Sequence, residues 1–231
     1  MLMKYHAVIF DLFGTLVNDF TSSARQVPAE MAAALGLHDE QFMPVWNQTL
    51  EMRIIGTFDT VEANIDYVLD AIGAHPRAEQ IAKAVEIRMH YIRQALEPRP
   101  GAIDTLSRLK TYPYKVGLIS NCSIEIPLLW EETAFANLIA TPIFSSRVGL
   151  KKPDSRIYHL ACERLGAAPE TCLYIADGEN HELSAAANVG LNPVLIRTSS
   201  EESMSGLHQE AKEWQGATIA SLPEVLQLVD H

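Results

Sequence analysis

From Ala102 onward the sequence alternates between two periods, and that alternation restricts the fold more than any other feature. Segments with helical spacing at Ala102–Lys110, Ile126–Asn137, Asp154–Leu165 and Glu182–Val189 are interleaved with short apolar runs at Lys115–Ser120, Ala140–Phe144, Cys172–Ala176 and Pro193–Ile196. A last strand is expected near Thr218 and a last helix over Leu222–Val229. Runs that are apolar throughout, rather than at every second residue, need cover on both faces. Strand and helix in that rhythm imply a parallel sheet with helices on each side. Tyr5–Phe10, at the start of the chain, has the same character and is assigned to the same sheet. The expected class is therefore α/β, with a doubly wound parallel sheet.

One long segment breaks the alternation. Between about Phe20 and Leu96 the signals are helical, over Ala24–Leu35, Gln41–Ile54, Val61–Ile72 and Ala78–Ala95, with interruptions at Gly36, Gly56 and Gly73-Ala74-His75-Pro76. Four consecutive helices match a small bundle, with Trp46, Met52, Tyr67, Met89 and Tyr91 expected in its interior. Glu97-Pro98-Arg99-Pro100-Gly101 then stops any helix, because prolines lack the N–H and glycine the rigidity that a helix requires. Residues 1–18 and 97–231 are expected to form the α/β core, and residues 19–96 an inserted helical domain.

The 231 residues carry a net charge of −11, which disfavours general attraction to nucleic acid or to an anionic membrane surface. No apolar run approaches the ~20 residues of a membrane span, and the N-terminus lacks the layout of a secretory signal. A cytoplasmic monomer or homodimer acting on a small-molecule substrate is expected. Cys122, Cys162 and Cys172 are odd in number and include no Cys-x-x-Cys pair, so buried reduced thiols are expected. Disorder is expected only near the termini and around Ser199–Ser205.

In sheets of this kind functional groups gather beyond the carboxyl ends of the strands. Strand one ends at Asp11 and leads into Gly14-Thr15. The next ends at Ser120-Asn121, the third is followed by Lys151-Lys152-Pro153-Asp154, and the fourth ends at Asp177-Gly178, with Glu182 beyond. Each has an ordinary explanation, since Asp and Ser are common turn residues and a lysine before proline is usually solvated. Together they outline a cation site beside an anion pocket. Asp11, Asp177 and Glu182, the last directly or through a bound water, offer the hard oxygens that Mg2+ takes as ligands. Ser120, the amides near Asn121 and the Lys152 ammonium could hold phosphate oxygens, and Thr15 would shape the turn that completes the pocket.

As ordered motifs these residues resemble the haloacid dehalogenase superfamily. The resemblance rests on Phe10-Asp11-Leu12-Phe13-Gly14-Thr15-Leu16, Ser120-Asn121, Gly149-Leu150-Lys151-Lys152-Pro153-Asp154 and Tyr174-Ile175-Ala176-Asp177-Gly178 through Ala186. It implies a Rossmann-like core, with the helical insertion as a cap. It also implies Asp11 as nucleophile, Ser120 and Lys152 holding the transferring group, and Mg2+ bound by Asp11, Asp177 and the backbone carbonyl of Phe13.

Phe13 departs from the phosphatase pattern. Phosphatases of the superfamily have a second aspartate there, which protonates the leaving oxygen, and a phenyl ring cannot. Asp19, Glu179 and His181 are the local alternatives. An aromatic residue at this position is similar instead to the 2-haloacid dehalogenases, whose halide leaves without a proton. Those enzymes have an arginine directly after a cap tryptophan, where Asn47 follows Trp46 here, leaving Arg53 or Arg25 as substitutes. They also have a serine where Asp177 stands. Cys122, near the anion pocket, reads as a buried packing residue. The expected function is an Mg2+-dependent hydrolase of a small phosphorylated metabolite working through an aspartyl-phosphate. Carbon–halogen hydrolysis is the first alternative, and a ligand-binding or regulatory protein with weakened turnover the second.

Overall fold

The structure, a computed structural model, describes residues 4–19, 23–197 and 209–229. The segment Ser199–Ser205, for which disorder was expected, lies outside the described residues. Six parallel strands form one sheet: β1 (Ala7–Phe10), β2 (Lys115–Ser120), β3 (Thr141–Phe144), β4 (Cys172–Ala176), β5 (Asn192–Ile196) and β6 (Ala217–Ile219). Their order is β3-β2-β1-β4-β5-β6. The chain builds outward from β1 on one side, then returns and builds outward from β4 on the other. The β1/β4 boundary is thus the point where the winding reverses and a crevice opens at the strand ends.

Register brings the chemistry to that point. Phe10 lies beside Leu118 of β2 and Ile175 of β4, and the next residue, Asp11, donates its N–H to the Ile175 carbonyl at 2.9 Å. Both sheet faces are buried, as the unbroken apolar runs require. Val8, Phe10, Leu118, Leu173 and Ile175 face one cluster, with Leu106 and Leu109 of α6 (Ala102–Thr111) and Val225 and Val229 of α12 (Val225–Val229). Ala7, Ile9, Ile119, Tyr174 and Ala176 face the other, with Ile157, Tyr158, Ala161 and Leu165 of α9 (Ser155–Leu165) and Leu183 of α10 (Glu182–Val189). Full burial of each such apolar side chain is worth roughly 1.5–3 kcal/mol, so the central strands are the most firmly held part of the sheet.

The inserted segment contains five helices, not four: α1 (Ser23–Leu35), α2 (Asp39–Gln48), α3 (Leu50–Ile54), α4 (Val61–Ile72) and α5 (Ala78–Ala95). The expected helix Gln41–Ile54 is broken at Thr49. There the Trp46 carbonyl is taken by the Thr49 hydroxyl at 2.8 Å and the Arg53 guanidinium at 2.7 Å instead of continuing a helical ladder. Met31, Phe42, Trp46, Ile65 and Val68 form a third apolar cluster, with Met89 and Tyr91 packed against it. Tyr67, expected inside, is exposed, its ring tilted against that of Phe58.

The expected helix Ile126–Asn137 is also shorter than its apolar spacing suggests. Only α7 (Glu125–Leu129) and a 3-10 turn at Trp130–Glu132 form. Thr133 then closes the end by donating its hydroxyl and its N–H to the Trp130 carbonyl, at 2.7 and 3.0 Å. Leu129, Trp130, Phe135 and Ile139 are buried without a continuous helix beneath them. Two short helices had no clear sequence signal, α8 (Ser145–Val148) and α11 (Gln209–Glu213).

The chain leaves the sheet and returns at adjacent points. Val17 bridges Pro98 in antiparallel fashion, and Arg99 donates its N–H to the Leu16 carbonyl at 2.9 Å. The helical segment also sits directly on the strand ends. Ser145 Oγ donates to the Ile54 carbonyl at 2.7 Å and accepts the Cys122 N–H at 2.9 Å.

Candidate functional site

Asp11, Ser120, Lys152, Asp177 and Glu182 come from four separate stretches of sequence and meet at the carboxyl ends of β1, β2 and β4, all buried. Lys152 is the centre of the arrangement. Its ammonium contacts Asp11 Oδ1, donates to Glu182 Oε2 at 2.6 Å, and lies 3.2 Å from the Tyr174 hydroxyl. Asn121 fastens the lysine backbone from below. Its Nδ2 donates to the Lys152 carbonyl at 3.0 Å, and its Oδ1 accepts the Lys152 N–H at 2.8 Å.

Glu182 is held from three directions. Oε2 accepts from Tyr174 Oη at 2.6 Å as well as from Lys152, and Oε1 accepts the Gly178 N–H at 3.2 Å. Tyr158 Oη donates to the Glu182 carbonyl at 3.0 Å. The amino end of α10 is capped from a distance, since Glu210 of α11 accepts the N–H groups of Leu183 and Ser184 at 2.9 and 2.7 Å. Tyr158, Tyr174 and Glu210 were not singled out from the sequence. Tyr174 carried a usable signal, as a phenol inside an apolar strand and three residues before Asp177. Glu210 carried none.

The loop after Asp11 is shaped by glycine. Gly14 has φ +74°, and a Cβ there would lie 1.9 Å from Asp177 Oδ2. The 13–14 backbone and the Asp177 carboxylate are therefore in close approach, which only glycine permits. From the far side the buried Arg99 guanidinium donates to the Gly14 carbonyl.

Two hydroxyls in the site lack a strong partner. Thr15 Oγ1 is buried and makes no hydrogen bond. Ser120 Oγ has only the Cys122 thiol beside it. A buried polar group left unpaired costs roughly 1–3 kcal/mol, so hydroxyls in this state fit groups that take up a ligand oxygen. The Cys122 thiol itself is pushed up to about 12 by burial, with the Ser120 and Ser146 hydroxyls opposing, which leaves it protonated and inert.

Charge balance tests whether a metal fits. Asp11, Asp177 and Glu182 each present a ligand atom within 4.8 Å of the others, and all three are buried. The three share the pocket with the Lys152 ammonium, which pairs with Asp11 and Glu182. Burial, reinforced by Glu182 and Asp177 and opposed by Lys152, holds the Asp11 carboxyl well above its ordinary value. Lys152 is pulled the other way, since Asp11 and Glu182 outweigh the burial that disfavours its charge. Three buried carboxylates whose oxygens come this close supply the hard ligands that a divalent cation takes.

The remaining candidates are less central. Asp19 and Glu179 are half-buried, and Glu179 accepts from Asn180 Nδ2 at 3.0 Å. His181 is exposed, on left-handed backbone. Phe13 is buried in the apolar cluster with Leu12 and Leu16. In the helical segment Asn47 is exposed. Arg53 is buried and bonded within its own helix region, donating to the Trp46 carbonyl and to Thr49 Oγ1 at 2.5 Å, with its guanidinium 4.2 Å from the Trp46 ring centre. The side chain of Arg25 lies outside the described residues.

Known proteins are similar to this chain in sequence and in fold. The family profile described as haloacid dehalogenase-like hydrolase matches residues 5–190. An (S)-2-haloacid dehalogenase of Pseudomonas fluorescens is 30% identical over 200 residues, covering 82% of this chain and 83% of that protein. A glyceraldehyde 3-phosphate phosphatase of Methanopyrus kandleri is 26% identical over 205 residues, covering 86% of each. Among solved structures, a 2-haloacid dehalogenase from Pseudomonas syringae pv. Tomato DC3000 aligns with a TM-score of 0.69 at 18% identity over 98% of each chain. A phosphatase from Thermococcus onnurineus aligns at 0.65 and 20% identity over 96% of each. With its profile match, its strand order and its four motifs gathered at one crevice, this chain belongs to the haloacid dehalogenase-like hydrolases.

Proposed function

We propose that this hydrolase is an Mg2+-dependent phosphatase of a small phosphorylated metabolite, with Asp11 as nucleophile. The observation that carries this reading is the cluster of three buried carboxylates at the strand ends. Asp177 stands beside Asp11 and Glu182 where a metal-independent dehalogenase is expected to have serine, and the three supply oxygen ligands of the kind a divalent cation takes. Asp11 and Asp177, with the Phe13 carbonyl and, at one remove, Glu182, would hold it. When bound, Mg2+ supplies positive charge that lets an anionic nucleophile and an anionic phosphate share one pocket.

The chain's own residues do the rest. Lys152, fixed by Asn121 and Glu182, offsets charge on the transferring phosphoryl oxygens, and the Ser120 and Thr15 hydroxyls donate to them. Asp11 Oδ bonds to phosphorus as the bond to the leaving oxygen breaks. Water then attacks the aspartyl-phosphate and releases inorganic phosphate and the free carboxylate. Phe13 cannot give the leaving oxygen a proton, so substrates whose leaving group departs as a stable anion, such as acyl phosphates, should react best. Residues 19–96 act as a cap domain over the crevice, excluding water and selecting the substrate. The working form is a cytoplasmic monomer or homodimer.

A second reading is carbon–halogen hydrolysis, favoured by Phe13 and by the dehalogenase relatives. In it Asp11 displaces halide from carbon, and water cleaves the resulting ester. A substrate panel separates the two. Acetyl phosphate and p-nitrophenyl phosphate should release phosphate with Mg2+ and not with EDTA, acetyl phosphate faster. Chloride release from 2-chloropropionate that EDTA leaves unchanged, without any phosphate release, would overturn the phosphatase reading.

A further inference from the structure

At the opposite end of the sheet, where β2 and β3 begin, lies a cleft of about 430 Å³. Lys115 at its edge is five strand residues from Ser120, roughly 16 Å at the ordinary strand rise, so the cleft is separate from the Asp11 crevice. Its floor is apolar, built from Tyr114, Val116 and Leu138 among others, and three cations stand around it: Lys110, Lys115 and Arg164. Among the described residues no carboxylate lines it. That is notable in a chain with 29 acidic residues against 18 lysines and arginines.

The lysines are anchored but not neutralised. Lys110 donates to the Asn137 carbonyl at 2.6 Å, and Lys115 to the carbonyls of Leu165 and Gly166 at 2.7 and 3.1 Å. Carbonyl oxygens fix the positions of these ammonium groups without cancelling their charge. Arg164 is exposed at the end of α9, with its fork of donors available. Among the described residues none of the three takes part in an ion pair. Holding three like charges around one concavity is unfavourable by mutual repulsion, and a bound anion would reverse the sign of that interaction.

We propose that this cleft is a second ligand site, for a phosphate-bearing metabolite of about nucleoside monophosphate size. The phosphate would sit among Lys110, Lys115 and Arg164, and the organic body would lie on the Tyr114, Val116 and Leu138 surface. The volume is within the range of small-molecule sites, and the combination of an apolar wall with a few convergent charges is what such sites use. The assignment is independent of which bond is broken at Asp11.

The test is a titration of the 15N-labelled protein with inorganic phosphate and with adenosine 5′-monophosphate, followed by amide shifts. The site predicts saturable shifts at residues 114–116 and 137–141, with the nucleotide binding more tightly than phosphate because it also covers the apolar wall. The double variant Lys110→Gln/Arg164→Gln should weaken nucleotide binding roughly tenfold, as expected for loss of charge-assisted contacts. Arg164→Gln alone removes no hydrogen bond or ion pair among the described residues and should weaken it about threefold. Shifts confined to the neighbourhood of Asn121 and Gly178 would overturn the proposal. So would an affinity unchanged by Arg164→Gln, or a nucleotide that binds no better than phosphate.

Discussion

Gly14 is the residue on which the active crevice most depends, although it carries no chemistry. Its positive φ and its contact with Asp177 leave no room for a side chain. Gly14→Ala should therefore push the 13–14 backbone away from Asp177 while the sheet remains intact. Misplacement of a reacting group by about 1 Å can cost roughly 10²-fold, so activity should fall at least that far with an unchanged far-UV circular dichroism spectrum. A variant with near wild-type turnover would show that the close approach is dispensable. At this scale the sequence was informative where the strand-end rule applies. Asp11, Ser120, Lys152, Asp177 and Glu182 each follow or flank a recognisable strand, and all five converge. Glu210 and Arg99 act across long separations in sequence, and neither periodicity nor a local motif encodes such contacts.

Among the elements, the pair of chain crossings between sheet and cap is the point of greatest leverage. Val17 bridges Pro98, and Arg99 reaches back to the Gly14 carbonyl. The sequence marks 97–101 as a break because of its prolines and glycine, but the same stretch also holds the loop after Asp11 in place. Arg99→Ala would leave a buried carbonyl without this donor, at a cost of roughly 1–3 kcal/mol. A matching fall in urea-unfolding free energy, together with reduced turnover, is expected. Lost stability at full activity would separate the contact from the site. The misread helix at 126–137 teaches a related point. Its apolar residues are buried as a helix face would bury them, but Trp130 stacks on Phe135 with ring centres 5.9 Å apart around a turn closed by Thr133. Spacing alone does not distinguish the two ways of burying those side chains.

For the whole molecule, a buried ion pair ties the helical segment to the α/β part of the chain. Arg88 of α5 donates to Glu125 Oε1 at 2.6 Å, and both side chains are nearly inaccessible. Burial works to raise the Glu125 carboxyl, but Arg88 and nearby hydrogen bonds hold it below its ordinary value. A group depressed in the folded state stabilises above its unfolded pKa, about 4.3, and loses that contribution as pH falls through the folded value. Glu125→Gln should therefore be less stable at neutral pH, and its deficit relative to wild type should shrink below about pH 4.3. Thermal unfolding across pH 3–7 measures this, and a deficit that stays constant would refute the linkage. The overall architecture was legible because a parallel sheet announces itself by rhythm. The bond broken was not, because Phe13 favours one chemistry and Asp177 the other.

The direct measurement is the mass of the Asp11-containing peptide after rapid acid quench of a single turnover. With acetyl phosphate and Mg2+, that peptide should gain one phosphoryl group, absent with EDTA and absent in Asp11→Asn. A peptide that gains no phosphoryl group, but carries a propionate ester after reaction with 2-chloropropionate in EDTA, would contradict the account.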